Sequence, residues 1–259
     1  MPAVLAALRT TLVLVASWQA IVMAFAPPRY ILPAPLDVAA AFQRQPLYLF
    51  DNMLVTLSEI AAGFVTGTLA GVATALAIAS FPRLGRAVWP VVLVLQAFPV
   101  FVIAPLLVLW FGFGMTSKVV MTALIIFFPV ASAFADGLRR TPPEIVDAAA
   151  LTPASHRQTL FLLRMPLAIP ALVSGLRVAA PLAPLGAVIG EWVGASAGLG
   201  FVMVQANARM QTDTMFAAMA VIAVLTLLLR RAVDALAPLL TPWAREGEFS
   251  SHHQQRKSS

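Results

Sequence analysis

Long runs without any charged residue constrain the fold of this chain more than any other feature. Such runs cover residues 10–28, 60–82, 87–117 and 119–135, and two more apolar runs follow at 167–189, interrupted by Arg177, and at 214–229, extending to 236. Roughly 20 apolar residues in a helix cross a hydrocarbon core about 30 Å thick. We therefore predict an all-α polytopic membrane protein with six transmembrane helices.

The composition supports the same class. Hydrophobic residues make up 60% of the chain and charged residues 11%, with a mean hydropathy of +0.89, whereas soluble domains are roughly 45–50% apolar and about 25% charged. The formal excess of six positive charges is too small for a nucleic-acid surface and suits loops beside anionic lipid. The absence of cysteine excludes disulfides and thiolate metal sites. We predict one transmembrane domain at 1–240 and a disordered, cytoplasmic tail at 241–259.

The basic residues predict the orientation of the helices, because cytoplasmic loops carry an excess of lysine and arginine. With both termini in the cytoplasm, 12 basic residues fall inside and 4 outside, with Arg177 set aside. The outer set is Arg29, Arg44, Lys118 and Arg209, and the inner set is Arg9, Arg83, Arg86, Arg139, Arg140, Arg157, Arg164, Arg230, Arg231, Arg245, Arg256 and Lys257. We expect an inner-membrane protein with cytoplasmic N- and C-termini.

A cleaved signal peptide is the alternative for the first apolar run. Ala24, Phe25 and Ala26 have the small-x-small form of a cleavage site. The apolar part of this run is longer than a usual signal core, and Pro27 is unfavourable just after a scissile bond. A membrane helix is therefore the favoured interpretation.

A polar, basic island at 147–166, DAAALTPASHRQTLFLLRMP, separates two apolar runs. Glu144 and Asp147 favour the positive end of a helix, and the alanines at 148–150 leave a low surface for close docking. Pro153 is expected to break this helix. A second short helix is expected from Ser155 to about 163, after which Pro166 redirects the chain. An ordinary basic loop is the alternative, but it leaves two short helices unexplained.

The spacing in this island resembles the ATPase-contacting cytoplasmic loop of permeases in ATP-binding-cassette importers. The family pattern is Glu-Ala-Ala, three variable residues, Gly, nine variable residues and Ile-x-Leu-Pro, and this chain keeps every spacing. Asp147 replaces the glutamate and Pro153 replaces the glycine, and both glycine and proline end a helix. The resemblance implies a docking loop at about 137–166 with these contact residues: Glu144, Asp147, Ala148, Ala149, Pro153, Ala154, Ser155, Leu163 and Pro166.

Two more segments resemble the permease subgroup that serves sulfonates, taurine, nitrate and thiamine pyrimidine precursors. The first comprises Thr56-Leu57, Glu59, Gly63-Phe64, Gly67 and Gly71, and the second comprises 104–107, 109–112 and 117–118. The resemblance covers roughly residues 30–237. It implies a type I importer permease that assembles with a second copy of itself, with ATPase subunits and with a periplasmic binding protein. ATP is then bound by the ATPase, and no cofactor is expected in this chain.

A few polar or aromatic residues within the apolar runs are candidates for the solute pathway. Glu191 and Trp192 precede a glycine- and serine-rich bend, and irregular backbone at membrane depth is tolerated where it is buried or lines a cavity. Trp192 as an interfacial anchor is the alternative. Gln96 and Phe98 precede Pro99 and are further candidates. Glu59 is either interfacial or directed to a cavity, because a membrane carboxylate is costly without a partner.

Three glycines at four-residue spacing, Gly63, Gly67 and Gly71, predict a helix face that another helix approaches closely. Catalytic carboxylate pairs, a Ser-His-Asp set and metal-ligand spacing are absent from the sequence, which predicts a chain that is not an enzyme. The alternative function is a self-sufficient secondary transporter or channel, which requires buried titratable relays or an inverted repeat. The run at 190–213 is most similar to permeases for hydroxymethylpyrimidine-type precursors, with sulfonate or taurine permeases next.

Overall fold

The structure, a computed structural model, describes residues 2–97 and 99–243. All regular secondary structure in these two stretches is helical. The helices are α1 (Pro2–Phe25), α2 (Pro35–Arg44), α3 (Pro46–Ser80), α4 (Pro82–Ala97), α5 (Val100–Phe111), α6 (Met115–Arg139), α7 (Pro143–Ala150), α8 (His156–Thr159), α9 (Met165–Gly194), α10 (Leu199–Ala208) and α11 (Thr212–Leu240). A π-helical turn, Leu160–Arg164, joins α8 to α9.

Helix α6 lies at the centre, with its most extensive contacts to α9 and α3. The three glycines of α3 face it directly. A Cβ at Gly63 would lie 2.4 Å from the Thr122 Cβ, and one at Gly67 would lie 2.8 Å from the Ala123 carbonyl oxygen. A Cβ at Gly71 would lie 3.0 Å from Val130. Real Cβ atoms do not come as close as those at Gly63 and Gly67 would, so the α3–α6 distance requires glycine at these two positions. A Cβ at Gly71 would be tight and would need Val130 to shift.

Helix α9 packs against the other side of α6, and glycines again allow the close approach. A Cβ at Gly186 would lie 2.6 Å from the Thr122 Cα, and one at Gly175 would lie 3.0 Å from the Pro129 carbonyl oxygen. Thr122 therefore touches glycines of both neighbouring helices. The largest buried apolar cluster lies around this junction and includes Ile60, Ile126, Val130, Ala183 and Ala187.

Four helical segments in the described chain are long and apolar enough to cross a membrane: Pro46–Ser80, Met115–Arg139, His156–Gly194 and Thr212–Leu240. They include the predicted second, fourth, fifth and sixth spans. The predicted third span, 87–117, is divided between α4 and α5, because Pro99 has no amide hydrogen to continue a helix. The apolar part of α1, Arg9–Phe25, is also shorter than the four long segments.

Large apolar side chains cover the outside of the bundle. Leu12, Leu69, Leu109, Leu227 and Leu239 are among many that are more than 60% exposed. A water-soluble protein rarely exposes contiguous apolar surface on this scale. The exterior therefore suits contact with lipid.

Two ion pairs link α11 to other helices. The Arg177 guanidinium in α9 lies 2.8 Å from the Asp234 carboxylate, and Arg44 at the end of α2 pairs with Asp213. The Arg177 charge within the fifth apolar run thus has a carboxylate partner, as a charge in a membrane segment requires.

Candidate functional site

The loop between α6 and α9 presents α7 away from the helix bundle. None of the residues of α7 is buried. Glu144, Asp147 and Ala148 are exposed, and Ala149 is half-buried. Glu144 lies in the first turn, where a carboxylate interacts favourably with the helix dipole. The result is a short, low-relief helix that is open to a partner.

Helix α7 ends at Ala150, before the predicted break at Pro153. The side chain of the next residue, Leu151, is 90% exposed. Leu151 extends the exposed surface of α7 with apolar area, whose burial by a partner would be favourable. Leu151 is a candidate docking residue that the spacing pattern does not mark, because it occupies one of the variable positions.

Helix α8 begins with a capping box. The Ser155 hydroxyl accepts a hydrogen bond from the Gln158 amide, and the Gln158 side chain accepts one from the Ser155 amide at 2.8 Å. Ser155, like Pro153 and Ala154, is exposed. The cap explains why a new helix starts there without help from tertiary packing.

Pro166 does not redirect the chain, contrary to expectation. Helix continues from His156 to Gly194, and the π-helical turn Leu160–Arg164 precedes the proline. In this turn the Met165 amide donates to the Leu160 carbonyl five residues back. The wider turn makes room where the proline ring would clash with a normal α-helical turn. Leu163 and Pro166 are half-buried in this segment.

The docking loop is anchored to the bundle on its α8 side. The His156 Nε2 atom lies 3.2 Å from the Ala79 carbonyl oxygen at the end of α3. Leu160 is fully buried in a cluster with Phe134, Leu138 and Ala168. A partner that moves α7 therefore acts on α3, α6 and α9 together.

At the other end of α9, buried polar side chains surround the bend 195–198. Glu191 is 2% exposed; its carboxylate accepts hydrogen bonds from the Thr56 hydroxyl at 2.6 Å and from the Gly200 amide. The Leu199 amide donates to the Thr56 hydroxyl at 2.7 Å, and the Gly198 amide donates to Asn52 at 2.7 Å. Glu191 thus caps the N-terminus of α10 from inside the protein.

Glu59 joins the same cluster, since its carboxyl group is in hydrogen-bonding contact with that of Glu191 and is 3% exposed. Gly198 has φ of +109°, and a Cβ there would lie 2.3 Å from the Glu191 Cδ. Glycine at 198 is therefore required both by the backbone and by the carboxylate beside it. The structure brings the predicted residues Glu59 and Glu191 together.

Lys118 is a buried member of this region that sequence reasoning assigned to an outer loop. It lies in the first turn of α6 and is 1% exposed. Its ammonium group donates to the carbonyl oxygens of Phe113, Gly114 and Gly194. Lys118 holds the C-terminal end of α9 against the α5–α6 turn. A positive charge at a helix C-terminus is favourable, and only the tertiary fold places it there.

Trp192 has different surroundings from Glu191, because its side chain is 52% exposed. It continues a stripe of exposed residues on one face of α9: Ser174, Val178, Pro181, Leu185 and Trp192. Their spacing of three, four or seven residues places them on one side of a helix. This α9 stripe is left uncovered by the rest of the described chain.

The α9 stripe borders a cavity of about 860 Å³. Residues of α4, α5, α6 and α9 line it, and the lining is apolar and aromatic with a few hydroxyl groups: Val92, Ile103, Phe127, Phe128, Ser132, Ser174 and Val178. Among the described residues that line the cavity, none is charged. A cavity of this size and composition fits a small organic solute.

The remaining pathway candidates are Gln96 and Phe98. Gln96 is in the last turn of α4, and Phe98 lies outside the described residues. The described residues hold no group of three or more metal-ligating side chains.

Comparison with known families identifies the chain. The family of binding-protein-dependent transport system inner membrane components matches residues 67–246. The chain belongs to this family. Its members are transport permeases, so the prediction that the chain is a permease and not an enzyme is confirmed.

The permease is similar to several named relatives. A probable ABC transporter permease of Haemophilus influenzae is 45% identical over 86% of this chain and 91% of the relative. The formylaminopyrimidine transport permease ThiX of Halalkalibacterium halodurans is 32% identical over 84% of this chain and 87% of the relative. The riboflavin transport permease RibX of Chloroflexus aurantiacus is 36% identical over 90% of this chain and 88% of the relative. Taurine and aliphatic sulfonate permeases also match, which confirms the predicted subgroup.

The fold of the permease is shared with a solved ABC importer. The inward-facing MetNI methionine transporter matches with a TM-score of 0.67 at 18% identity, over 76% of this chain and 98% of the solved chain. The predicted all-α membrane fold of the importer-permease type is confirmed. At this identity the likeness concerns the fold alone.

The hydroxyl of Thr56 provides a test of the buried cluster. Thr56→Val keeps the shape of the side chain but removes the hydroxyl that binds both the Leu199 amide and the Glu191 carboxylate. We expect a loss of about 1–3 kcal/mol in unfolding free energy, measured by thermal unfolding of the detergent-solubilised permease. Thr66→Val is the matched control, since the exposed Thr66 hydroxyl bonds only to its own helix. Equal stability of both variants would contradict the proposed cluster.

Proposed function

We propose that the chain is the transmembrane subunit of an ATP-driven importer, in which two copies form the route for a small solute. The exposed α7 helix and Leu151 carry this proposal, because they form a continuous surface that the rest of the described chain leaves uncovered. An ATPase subunit binds this loop, and ATP is bound by that partner. A periplasmic binding protein delivers the solute from the opposite side.

The proposed topology has six spans and cytoplasmic termini. The spans are α1, α3, the broken pair α4–α5, α6, α9 and α11. Helices α4 and α5 together extend over 82–111, long enough for one bent crossing. The excess of basic residues in the inner loops supports this orientation. It places α7 in the cytoplasm, beside the ATPase.

We place the solute route between the two copies, along the α9 stripe and its adjoining cavity. The stripe is the uncovered face of a helix that is otherwise buried, and a second copy would cover it. Trp192 would contact the solute near the outer end. Glu191 and Glu59 would shape the route indirectly, by holding the bend that follows Trp192. Gln96 and Phe98, at the α4–α5 break, are secondary route candidates.

For the solute, we favour a neutral heteroaromatic compound of the thiamine-precursor type over a sulfonate. The cavity offers aromatic faces and hydroxyl groups but no cation to pair with a sulfonate. The relatives named for formylaminopyrimidine and riboflavin, both heteroaromatic, support this preference. A taurine-type solute is the second candidate, supported by the taurine permease relative.

Charge placed on α7 tests ATPase docking. Ala148→Arg and Leu151→Asp should leave the protein inserted but abolish uptake and recovery of the ATPase on an affinity column. An unpaired charge buried in an interface costs several kcal/mol. Gln45→Arg, at the far end of α3, is the control and should retain the ATPase. Normal ATPase recovery with both α7 variants would exclude docking at this loop.

Single cysteines test the orientation, because the chain has no native cysteine. A cysteine at Ser155 should be shielded from a membrane-impermeant thiol reagent in intact cells and labelled after lysis. A cysteine at Gln45 should be labelled in intact cells. The reverse pattern would place α7 outside and remove the basis for ATPase docking.

Trp192→Ala tests the route. We expect uptake into proteoliposomes to fall about five- to 150-fold, because a lost aromatic contact of ~1–3 kcal/mol lowers affinity by that factor, while ATPase recovery stays normal. Trp110→Ala is the matched control, since Trp110 is 66% exposed but lies on α5, outside the α9 stripe. Unchanged uptake in Trp192→Ala would make this residue an interfacial anchor. Competition between a formylaminopyrimidine and taurine in the same assay tests the solute preference.

A further inference from the structure

A second cavity, of about 520 Å³, lies at the docking-loop end of the bundle between α3, α4 and α6. It is separate from the cavity beside the α9 stripe. Three arginines, an indole ring and apolar side chains line it: Arg86, Arg139, Arg164, Trp89, Ala75 and Ile78. Ala79, whose carbonyl contacts His156 of the loop, also lines it, which fixes its position beside the docking loop.

The positive charge of this cavity is poorly compensated within the described chain. Arg86 and Arg164 form no ion pair with any described residue. The Nε atom of Arg164 is buried and has no hydrogen-bond partner. Arg139 faces Asp136 at 4.0 Å, and that carboxylate is itself about half exposed. A buried guanidinium donor without an acceptor is costly, so the cavity is suited to an anionic ligand.

The aromatic and apolar residues of this cavity indicate that the anionic ligand also has an apolar part. The Arg139 guanidinium lies 5.0 Å from the centre of the Trp89 ring, which also stacks on Phe128 at 6.5 Å. Tryptophan with arginine at the end of a membrane helix is typical of the depth of lipid headgroups. Ala75 and Ile78 provide an apolar wall next to the cations. A ligand with a phosphate and an apolar chain can bind the arginines and contact the apolar wall at the same time. A free phosphate can bind only the arginines.

We propose that this arginine cavity binds the phosphate of an anionic phospholipid from the inner leaflet. The leaflet assignment rests on the orientation proposed above. Arginine binds phosphate through paired N–H donors, which the three guanidinium groups that line the cavity would supply. The bound lipid links α4 and α6 with the start of α9, next to the docking loop. The permease should therefore retain anionic lipid selectively when it is extracted from the membrane.

Native mass spectrometry of the full permease from nanodiscs, with equal parts of phosphatidylglycerol and phosphatidylcholine, tests this site. We expect wild-type protein to retain phosphatidylglycerol in preference to phosphatidylcholine. Arg86→Gln and Arg164→Gln should each lower this retention about fivefold, the equivalent of the ~1 kcal/mol that one arginine contributes beside anionic lipid. Arg83→Gln removes the same charge from an exposed position of α4 outside the cavity and should retain the lipid.

Several outcomes would overturn the proposal. Equal retention of both lipids by wild-type protein would show that the permease does not select anionic lipid. An equal loss in Arg83→Gln would show only a general preference of a positively charged surface for anionic lipid. Binding of added inorganic phosphate without retention of phosphatidylglycerol would assign the arginines to free phosphate and exclude the lipid. Arg86→Gln lies outside the docking loop and should keep normal ATPase recovery. Loss of phosphatidylglycerol with normal ATPase recovery in this variant would therefore distinguish the lipid site from the docking loop. The comparison holds even if Arg164→Gln does not fold.

Discussion

The close approach of α6 to α3 and α9 is the constraint on which the rest of this structure depends. Lipid tails are as apolar as leucine, so helices in a membrane gain little from hiding apolar surface against one another and associate instead through tight packing. Glycines on both neighbours allow backbone atoms to approach α6, with Thr122 in contact with Gly63 on one side and Gly186 on the other. A methyl group at either glycine would have to displace this threonine or the helix that carries it. The three-helix centre then sets the positions of both functional ends.

The main features of the fold could be predicted because the membrane imposes them locally. Runs without charge identify the long helices, since each must satisfy its own backbone hydrogen bonds in lipid. The spacing of Gly63, Gly67 and Gly71 marks one side of the packing, and the spacing around Asp147 marks the loop. The α9 glycines 175 and 186 were missed because they are eleven residues apart and do not form a short repeat. The break between α4 and α5 depends on Pro99, but Pro129 sits inside an unbroken α6, so proline alone does not predict where a helix ends.

The polar residues were harder to interpret, because their surroundings come from distant parts of the chain. Glu191 and Trp192 are adjacent in sequence, yet one side chain is buried against Thr56 and the other is half exposed. Lys118 counts as an outer charge when basic residues are used to predict topology. In the structure, its buried ammonium group donates hydrogen bonds to three carbonyl oxygens. Lys118 and its partner Gly194 are 76 positions apart in the chain, and Thr56 and Glu191 are 135 positions apart. No local pattern carries that information.

The continuous helix from His156 to Gly194 connects the two ends of the molecule. Its 39 residues correspond to about 58 Å at the rise of an α-helix. Ser155 caps one end beside α7, while Glu191 and Lys118 fix the other end to the bend before α10. One element therefore joins the loop that carries α7 to the residues next to Trp192. Pro170, Pro181 and Pro184 each remove one backbone hydrogen bond from this element. These prolines lie in the middle of the element, beside the cavity, which is where a bend of this helix is favoured.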